Sequence, residues 1–183
     1  MKYLDRVLQR WRIREAAAFI RCGDSVLDIG TADGALFRLV PGLGPSVGIE
    51  PELEAGHKAI SPGLDFYKGY FPAALPGPMQ FDAITMLAVL EHIPPSEQVE
   101  LAKACAAHLK PGGRLIITVP SQAVDYVLAL LTAVRAIDGM SVHQHYGFNA
   151  SETPGIFTPY GLRLTARRYF QLGFNNLFVF TRH

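Results

Sequence analysis

Ser25-Val26-Leu27-Asp28-Ile29-Gly30 is a short apolar run that stops at a glycine, and Thr31-Ala32-Asp33-Gly34 follows it as a turn. Such a run suits a strand buried on both faces of a parallel sheet. Asp33 offers a cap for the next segment, so residues 34–40 are expected as a helix. The same rhythm continues downstream. Residues 45–50 read as a second strand, 51–60 as a helix, 65–70 as a third strand and 81–87 as a fourth. Residues 95–109 form a helix with proline in its first turn and Glu97 and Glu100 near its start. Lys110-Pro111-Gly112-Gly113 stops that helix, and 114–119 is a fifth strand. Strands alternating with helices at this spacing predict right-handed βαβ units and an α/β fold with a doubly wound parallel sheet.

Outside this core the pattern changes. Residues 4–20 carry apolar positions at helical spacing and predict an N-terminal helix, within residues 1–21, whose Arg-rich outer face is solvated. Residues 124–137 predict a strongly apolar helix with three possible fates: a lid, a dimer surface, or burial against the sheet. A loop dense in His and aromatics follows, then a short helix near 151–157, and together 122–160 read as an acceptor-side insertion. Two apolar runs, 162–170 and 176–181, lie around Gly173 and predict an antiparallel pair closing one edge of the sheet.

The composition bounds the answer. The chain has 183 residues, which predicts a single domain over 1–183. With 49% hydrophobic and 18% charged residues it has material for a packed core and is no disordered chain. Seventeen Lys+Arg against sixteen Asp+Glu give a formal charge of +1, so no broad basic surface points to nucleic acid or an anionic membrane. Two cysteines are too few for a disulfide framework or a zinc cluster, and no third ligand stands at a metal-site spacing. Arg6, Arg10, Arg12 and Arg14 interrupt the N-terminus, and Asp125, Arg135 and Asp138 interrupt the longest apolar stretch. Neither reads as a signal peptide or a membrane span, and a cytoplasmic location is expected.

The turn after the first strand is where a doubly wound sheet binds nucleotides, because glycines let a ligand approach the backbone and the helix start presents free N–H groups. Glu50, at the end of the second strand, can accept hydrogen bonds from both ribose hydroxyls of an adenosine moiety. Ribose recognition does not separate a nicotinamide cofactor from S-adenosylmethionine. A dinucleotide turn reads G-x-G-x-x-G, whereas Ala32 stands here at the middle glycine and Asp33 places a carboxylate at the helix start. An anion repels a pyrophosphate but not a sulfonium, and Asp28 suits the ammonium of a methionine moiety. The charge pattern favours S-adenosylmethionine.

These motifs resemble the class I S-adenosylmethionine-dependent methyltransferases, in particular the methyltransferase-11-like group. The resemblance rests on VLDIGTADG at 26–34, VGIEPE at 47–52, FDAITMLAVLEHIP at 81–94 and LKPGGRLIITVPS at 109–121, in the family's order, with GFNNLFVFTR as its closing antiparallel strand. It implies a mostly parallel, seven-stranded Rossmann-like sheet with a terminal antiparallel strand, and S-adenosylmethionine as cofactor with S-adenosylhomocysteine as product. Asp28, Gly30, Thr31 and Gly34 would line the methionine part, Glu50 the ribose and Pro51 the adenine. Met86, Leu87 and Ala88 would pass beneath the cofactor, and His92 would begin its cover. Relatives often end the third strand with an Asp at the adenine; Gly69, Tyr70 and Phe71 stand here instead, leaving backbone groups and aromatic contact.

A general base, where one is used, points to His143 and His145 in the aromatic loop. The expected activity is methyl transfer to an oxygen or nitrogen of a small molecule, with a homodimer as one fate of the apolar helix. The alternatives are a catalytically silent S-adenosylmethionine-binding partner or sensor domain, and an NAD-dependent oxidoreductase. A nucleic-acid methyltransferase is disfavoured because residues 86–89 read Met-Leu-Ala-Val where an Asn/Asp-Pro-Pro-Tyr/Phe motif would stand.

Overall fold

A computed structural model describes residues 3–53, 62–121 and 148–183. Seven strands form one sheet: β1 Val26–Ile29, β2 Ser46–Glu50, β3 Leu64–Lys68, β4 Phe81–Leu87, β5 Leu109–Pro120, β6 Leu162–Phe170 and β7 Asn175–Arg182. Their order across the sheet is β3-β2-β1-β4-β5-β7-β6. Strands β1 to β5 pair in parallel, and β7 runs antiparallel to both β5 and β6. The antiparallel pair at one edge is as expected; β7 is inserted inside it, so β6 is the edge strand.

Alternation along the strands sends side chains to two cores. Leu27 and Ile29 of β1, Ile84 and Met86 of β4, and Phe178 and Phe180 of β7 enter one cluster, shared with Leu101, Ala102 and Cys105 of helix α3, Pro95–His108. Val26, Ala83, Ile116, Leu177 and Val179 enter the other. That face is covered by α1, Tyr3–Ala17, through Ile13 and Ala16, and by α2, Ala35–Leu39, through Ala35 and Leu36. All four β1 residues are buried, which is why that strand reads as a continuous apolar run.

Several boundaries differ from the sequence reading. Helix α1 ends at Ala17, and Phe19 and Ile20 close a turn through N–H bonds to Ala16 and Ala17. Helix α3 stops at His108 as expected, but β5 starts at once, because Leu109 pairs with Phe81 before the ladder slips and resumes at Arg114–Ala83. Near 151–157 the chain forms a 3-10 turn, Ala150–Glu152, then helix α4, Thr153–Phe157. The expected helix at 124–137, most of that at 51–60, and His143 and His145 lie outside the described residues. Among the described residues no helix is long and apolar enough to cross a membrane.

Candidate functional site

The chain runs outward from β1 through β2 to β3 and then returns to β4 on the other side of β1, so β1 and β4 flank the topological switch point. Open α/β sheets bind ligands in the crevice beyond the carboxyl ends of the strands at such a point. Here the turn after β1 is built from left-handed backbone: φ is 74° at Gly30, 49° at Ala32 and 70° at Gly34. Gly30 and Thr31 donate their N–H groups to the Ile49 carbonyl at 2.9 and 3.1 Å, which ties the turn to the end of β2. The Glu50 carboxylate completes the tie. Its Oε2 accepts from the Ala32 N–H at 2.9 Å and its Oε1 from the Glu52 N–H at 3.2 Å.

A cavity of about 580 Å³ opens above this arrangement, within the usual range for small-molecule sites. Ile29, Gly30, Ile49, Glu50 and Pro51 form its floor at the ends of β1 and β2. Gly69, Tyr70, Phe71 and Pro72 after β3 make one wall, and Ala88, Val89 and His92 after β4 make the other. Ile93 and the first turns of α3, through Ser96, Glu97, Glu100 and Leu101, close the far side. Thus Gly30, Glu50, Pro51, Gly69, Tyr70, Phe71, Ala88 and His92, expected from sequence, meet at one cavity.

The other expected residues sit elsewhere. Asp28 and Thr31 are buried behind the turn, Gly34 caps α2, Met86 is wholly buried in the core, and Leu87 packs on the α1 face. The contribution of α3 was missed, although Pro95 marks where that helix must begin, beside Glu91-His92. Ile29 and Ile49 were missed too; they are simply the last side chains of their strands on the cavity side.

Asp28 is fully enclosed, and burial pushes its carboxyl up to about 6, against a 2.6 Å bond from the Thr85 hydroxyl that favours the charged form. Thr31 lies beside the same carboxyl, but its buried hydroxyl has no partner in hydrogen-bond geometry. Asp33 acts only in part as expected from sequence, since the Ala35 N–H at the start of α2 bonds its carboxylate but two side chains hold it as well. Gly34 occupies the cap position of α2, and the Asp33 carboxylate also pairs with Arg38 at 2.5 Å and accepts from Gln9 at 3.1 Å. Slight desolvation would raise its pKa, but these bonds from Arg38 and Gln9 hold it below the usual carboxylate range. Its charge is therefore neutralised locally and is not what shapes the cavity's field. The carboxylates that line the cavity are Glu50, Glu97 and Glu100, of which Glu100 is paired with Lys103 at 2.7 Å, so Glu50 and Glu97 carry the uncompensated negative charge of the described lining. Among the described residues no His/Cys/Asp/Glu cluster could hold a metal ion.

The fold and this crevice define a Rossmann-like α/β protein with a nucleoside-type site. Known proteins specify it further. A family model described as a methyltransferase domain matches residues 2–167. The ubiquinone biosynthesis O-methyltransferase of Colwellia psychrerythraea is 28% identical over 151 residues, covering 75% of this chain and 60% of that protein. The demethylspheroidene O-methyltransferase of Rhodobacter capsulatus is 34% identical over 124 residues, covering 62% of this chain and 31% of that protein. The chain thus spans between about a third and three fifths of the length of these two relatives. Among solved structures, magnesium protoporphyrin IX methyltransferase from Synechocystis PCC 6803 with bound SAH superposes with a TM-score of 0.71 at 16% identity, covering 100% of this chain and 89% of that one. The chain belongs to the methyltransferase-domain family, and with it to the class I S-adenosylmethionine-dependent methyltransferases that its motifs resemble.

Proposed function

We propose that this chain transfers a methyl group from S-adenosylmethionine to a small-molecule acceptor, with an oxygen favoured over a nitrogen by the O-methyltransferase names of its relatives. The observation that carries the reading is Glu50. Its carboxylate, pinned by two backbone N–H groups at the end of β2, faces the cavity at the switch point.

The residues present fit that cofactor. Gly30 leaves its backbone bare at the floor, where a Cβ would come within 2.5 Å of Val89. The unpartnered Thr31 hydroxyl and the buried Asp28 carboxyl stand behind it. Glu50 and Glu97, with no Lys or Arg in the described lining and with Glu100 paired to Lys103, suit a cationic sulfonium and an ammonium. The same lining repels a pyrophosphate, which argues against a nicotinamide dinucleotide. When bound, the sulfonium supplies an electrophilic methyl group whose transfer leaves a neutral thioether. Glu50 is positioned to take ribose hydroxyls, and Tyr70 and Phe71 to contact the adenine in place of the missing acid. Ala88 and Val89 wall off the face opposite β2, and His92 stands at the rim of the cavity. The formal charge of +1 supports a small acceptor over nucleic acid, and the free thiols of Cys22 and Cys105 agree with a reducing compartment such as the cytoplasm. The homodimer idea rests on residues 124–137 and is tested by mass in solution.

Calorimetric titration with S-adenosylhomocysteine and with NADH, on the wild type and on Glu50→Ala, tests the reading. Micromolar binding of S-adenosylhomocysteine alone is expected, weakened at least about tenfold in the variant, since hydrogen bonds to a charged group contribute ~1.5–3 kcal/mol each. Binding of NADH instead, or of neither, overturns it.

A further inference from the structure

One end of the cavity is short of a hydrogen-bond acceptor. The Gly69 N–H donates to the Glu50 carbonyl at 3.2 Å, so the loop after β3 begins beside the ribose-side carboxylate. That loop offers the cavity the rings of Tyr70 and Phe71 and no acid. Its carbonyls are partly taken as well: Tyr70 accepts from the Ala74 N–H at 2.9 Å, and Pro72 from the Leu75 N–H at 3.0 Å. Aromatic rings hold an adenine by its faces, but its exocyclic amine is a hydrogen-bond donor that they leave unpaired. A donor buried without an acceptor costs free energy, so an adenine seated here calls for one from another element.

Helix α3 closes the far side of the cavity, and packing fixes it against the same loop. The Phe71 ring meets the His108 ring edge-on, with centroids 5.4 Å apart and planes at 69°. His108 is itself held by a 2.7 Å bond between its Nδ1 and the Met79 carbonyl. Glu97, Leu101 and His108 fall on one stripe of α3 at helical spacing. The face that packs on Phe71 therefore continues through Leu101 to Glu97, and both of these line the cavity. Leu101 is buried and Glu97 exposed, so the stripe ends in a carboxylate at the cavity's edge.

The chemistry of the other polar side chains in the lining sets Glu97 apart. Glu50 is engaged by the Ala32 and Glu52 N–H groups at the end of β2, and Glu100 is drawn to Lys103 at 2.7 Å. The hydroxyls of Tyr70 and Ser96 donate as readily as they accept, so they do not select an amine. His92 belongs to the wall after β4. Among the described residues no hydrogen bond or ion pair engages the Glu97 carboxylate. A carboxylate only accepts, and a charged acceptor makes the stronger bond.

We propose that Glu97 is the residue that selects adenine in this site, its carboxylate accepting a hydrogen bond from the exocyclic amine. The proposal rests on the methyl-transfer reading above and adds to it a specificity residue from a different element. The acid that relatives often carry at the end of β3 is replaced here by one on the helix that follows β4. The loop after β3 then supplies aromatic contact alone, and α3 supplies the choice of base.

Calorimetric titration compares S-adenosylhomocysteine with its 6-deamino analogue, which carries hydrogen in place of the amine, on the wild type, Glu97→Ala and Glu97→Gln. Glu97 is exposed, so both variants keep the fold. The two ligands share the same ribose, thioether and ammonium, so a general loss of negative charge moves both affinities alike and leaves their ratio unchanged. The wild type is expected to bind the amino ligand at least about tenfold more tightly, the size of one hydrogen bond to a charged group. Glu97→Ala is expected to bring the ratio within about twofold of one, and Glu97→Gln, which keeps an acceptor without the charge, to give an intermediate ratio. A wild-type ratio near one, or a wild-type ratio retained in Glu97→Ala, overturns the proposal. Failure of the wild type to bind S-adenosylhomocysteine at all overturns the methyl-transfer reading, and this proposal with it.

Discussion

Gly30→Ala is the substitution that probes the turn after β1 most directly. Its cost has two separable parts. Gly30 sits at φ 74°, in the left-handed region, where an L-residue costs ~1–2 kcal/mol. An alanine Cβ would also lie 2.5 Å from Val89 Cγ2, a contact that must be relieved by moving Val89. Crowding of that kind in a packed site costs ~1–3 kcal/mol. The single variant should therefore lose about 2–5 kcal/mol, the sum of the two parts. In a Val89→Ala background both γ methyls are gone, and the remaining neighbour, the Cβ at 3.6 Å, is in ordinary contact. Only the backbone part then survives, about 1–2 kcal/mol. Urea unfolding of the wild type, both single variants and the double variant closes a thermodynamic cycle, with an expected coupling of about 1–3 kcal/mol. S-adenosylhomocysteine affinity, measured on the same four proteins, should fall in Gly30→Ala and recover in part in the double variant, because Val89 is displaced towards the cavity. Equal costs for Gly30→Ala in both backgrounds would show that Val89 does not crowd this position, and the steric account of the bare floor would fail.

Two further perturbations read other parts of the same turn. Asp28 has a folded pKa of about 6 against an ordinary 3.8, so its contribution to stability is complete below pH 3.8 and is lost as pH rises through 6. A rise of that size corresponds to ~3 kcal/mol. The stability of Asp28→Asn relative to wild type should therefore climb by about this amount between pH 3.5 and 7.5, and parallel denaturation curves across that range would refute the burial argument. Ala32, at φ 49°, carries the left-handed cost without being glycine. Ala32→Gly should recover ~1–2 kcal/mol of strain and lose ~0.4–1 kcal/mol to the freer unfolded chain. The net is a melting point raised by a few degrees, with S-adenosylhomocysteine affinity unchanged because the N–H bonded to Glu50 remains; a lower melting point would refute it.

What was legible in the sequence follows from where the determining forces are local. β1 and its turn were readable because burial on both faces demands an apolar run and the left-handed turn demands glycine at two of its three special positions. The ends of α3 were readable because Pro95 suits a first helical turn and Pro111-Gly112-Gly113 cannot continue a helix. The start of β5 was not, since Leu109 is drawn into the sheet by Phe81, a partner distant in sequence. Arg12 was equally hidden. Along α1 it looks like Arg6, Arg10 and Arg14, and only the packing of α1 onto the sheet sets it against Glu91. Asp33 shows the converse case, in which a local rule predicted a cap and a charge, and Arg38 and Gln9 also claim the carboxylate. The preference for a cationic ligand survives that correction, because its source is Glu50 of β2 and Glu97 of α3.

Glu50 and Glu91 make a further distinction that no motif contains. Both are glutamates at the carboxyl ends of parallel strands, Glu50 closing β2 and Glu91 in the turn that follows β4. Glu50 faces the cavity with each oxygen engaged by a backbone N–H, which fixes its orientation and leaves further lone pairs for hydroxyl donors. Such a group holds a ligand without changing its own state. Glu91 is enclosed, with one oxygen unengaged and a guanidinium near enough to act on its charge. Its free energy changes on taking up a proton, and a polar hydrogen reaching Oε2 relieves an unpaired atom. The difference lies in hydrogen-bond satisfaction rather than residue type. Arg12→Met tests that logic: with the guanidinium removed, burial is opposed only by the Glu91 backbone amide, and the carboxyl must titrate above about 7 in a pH titration of the variant.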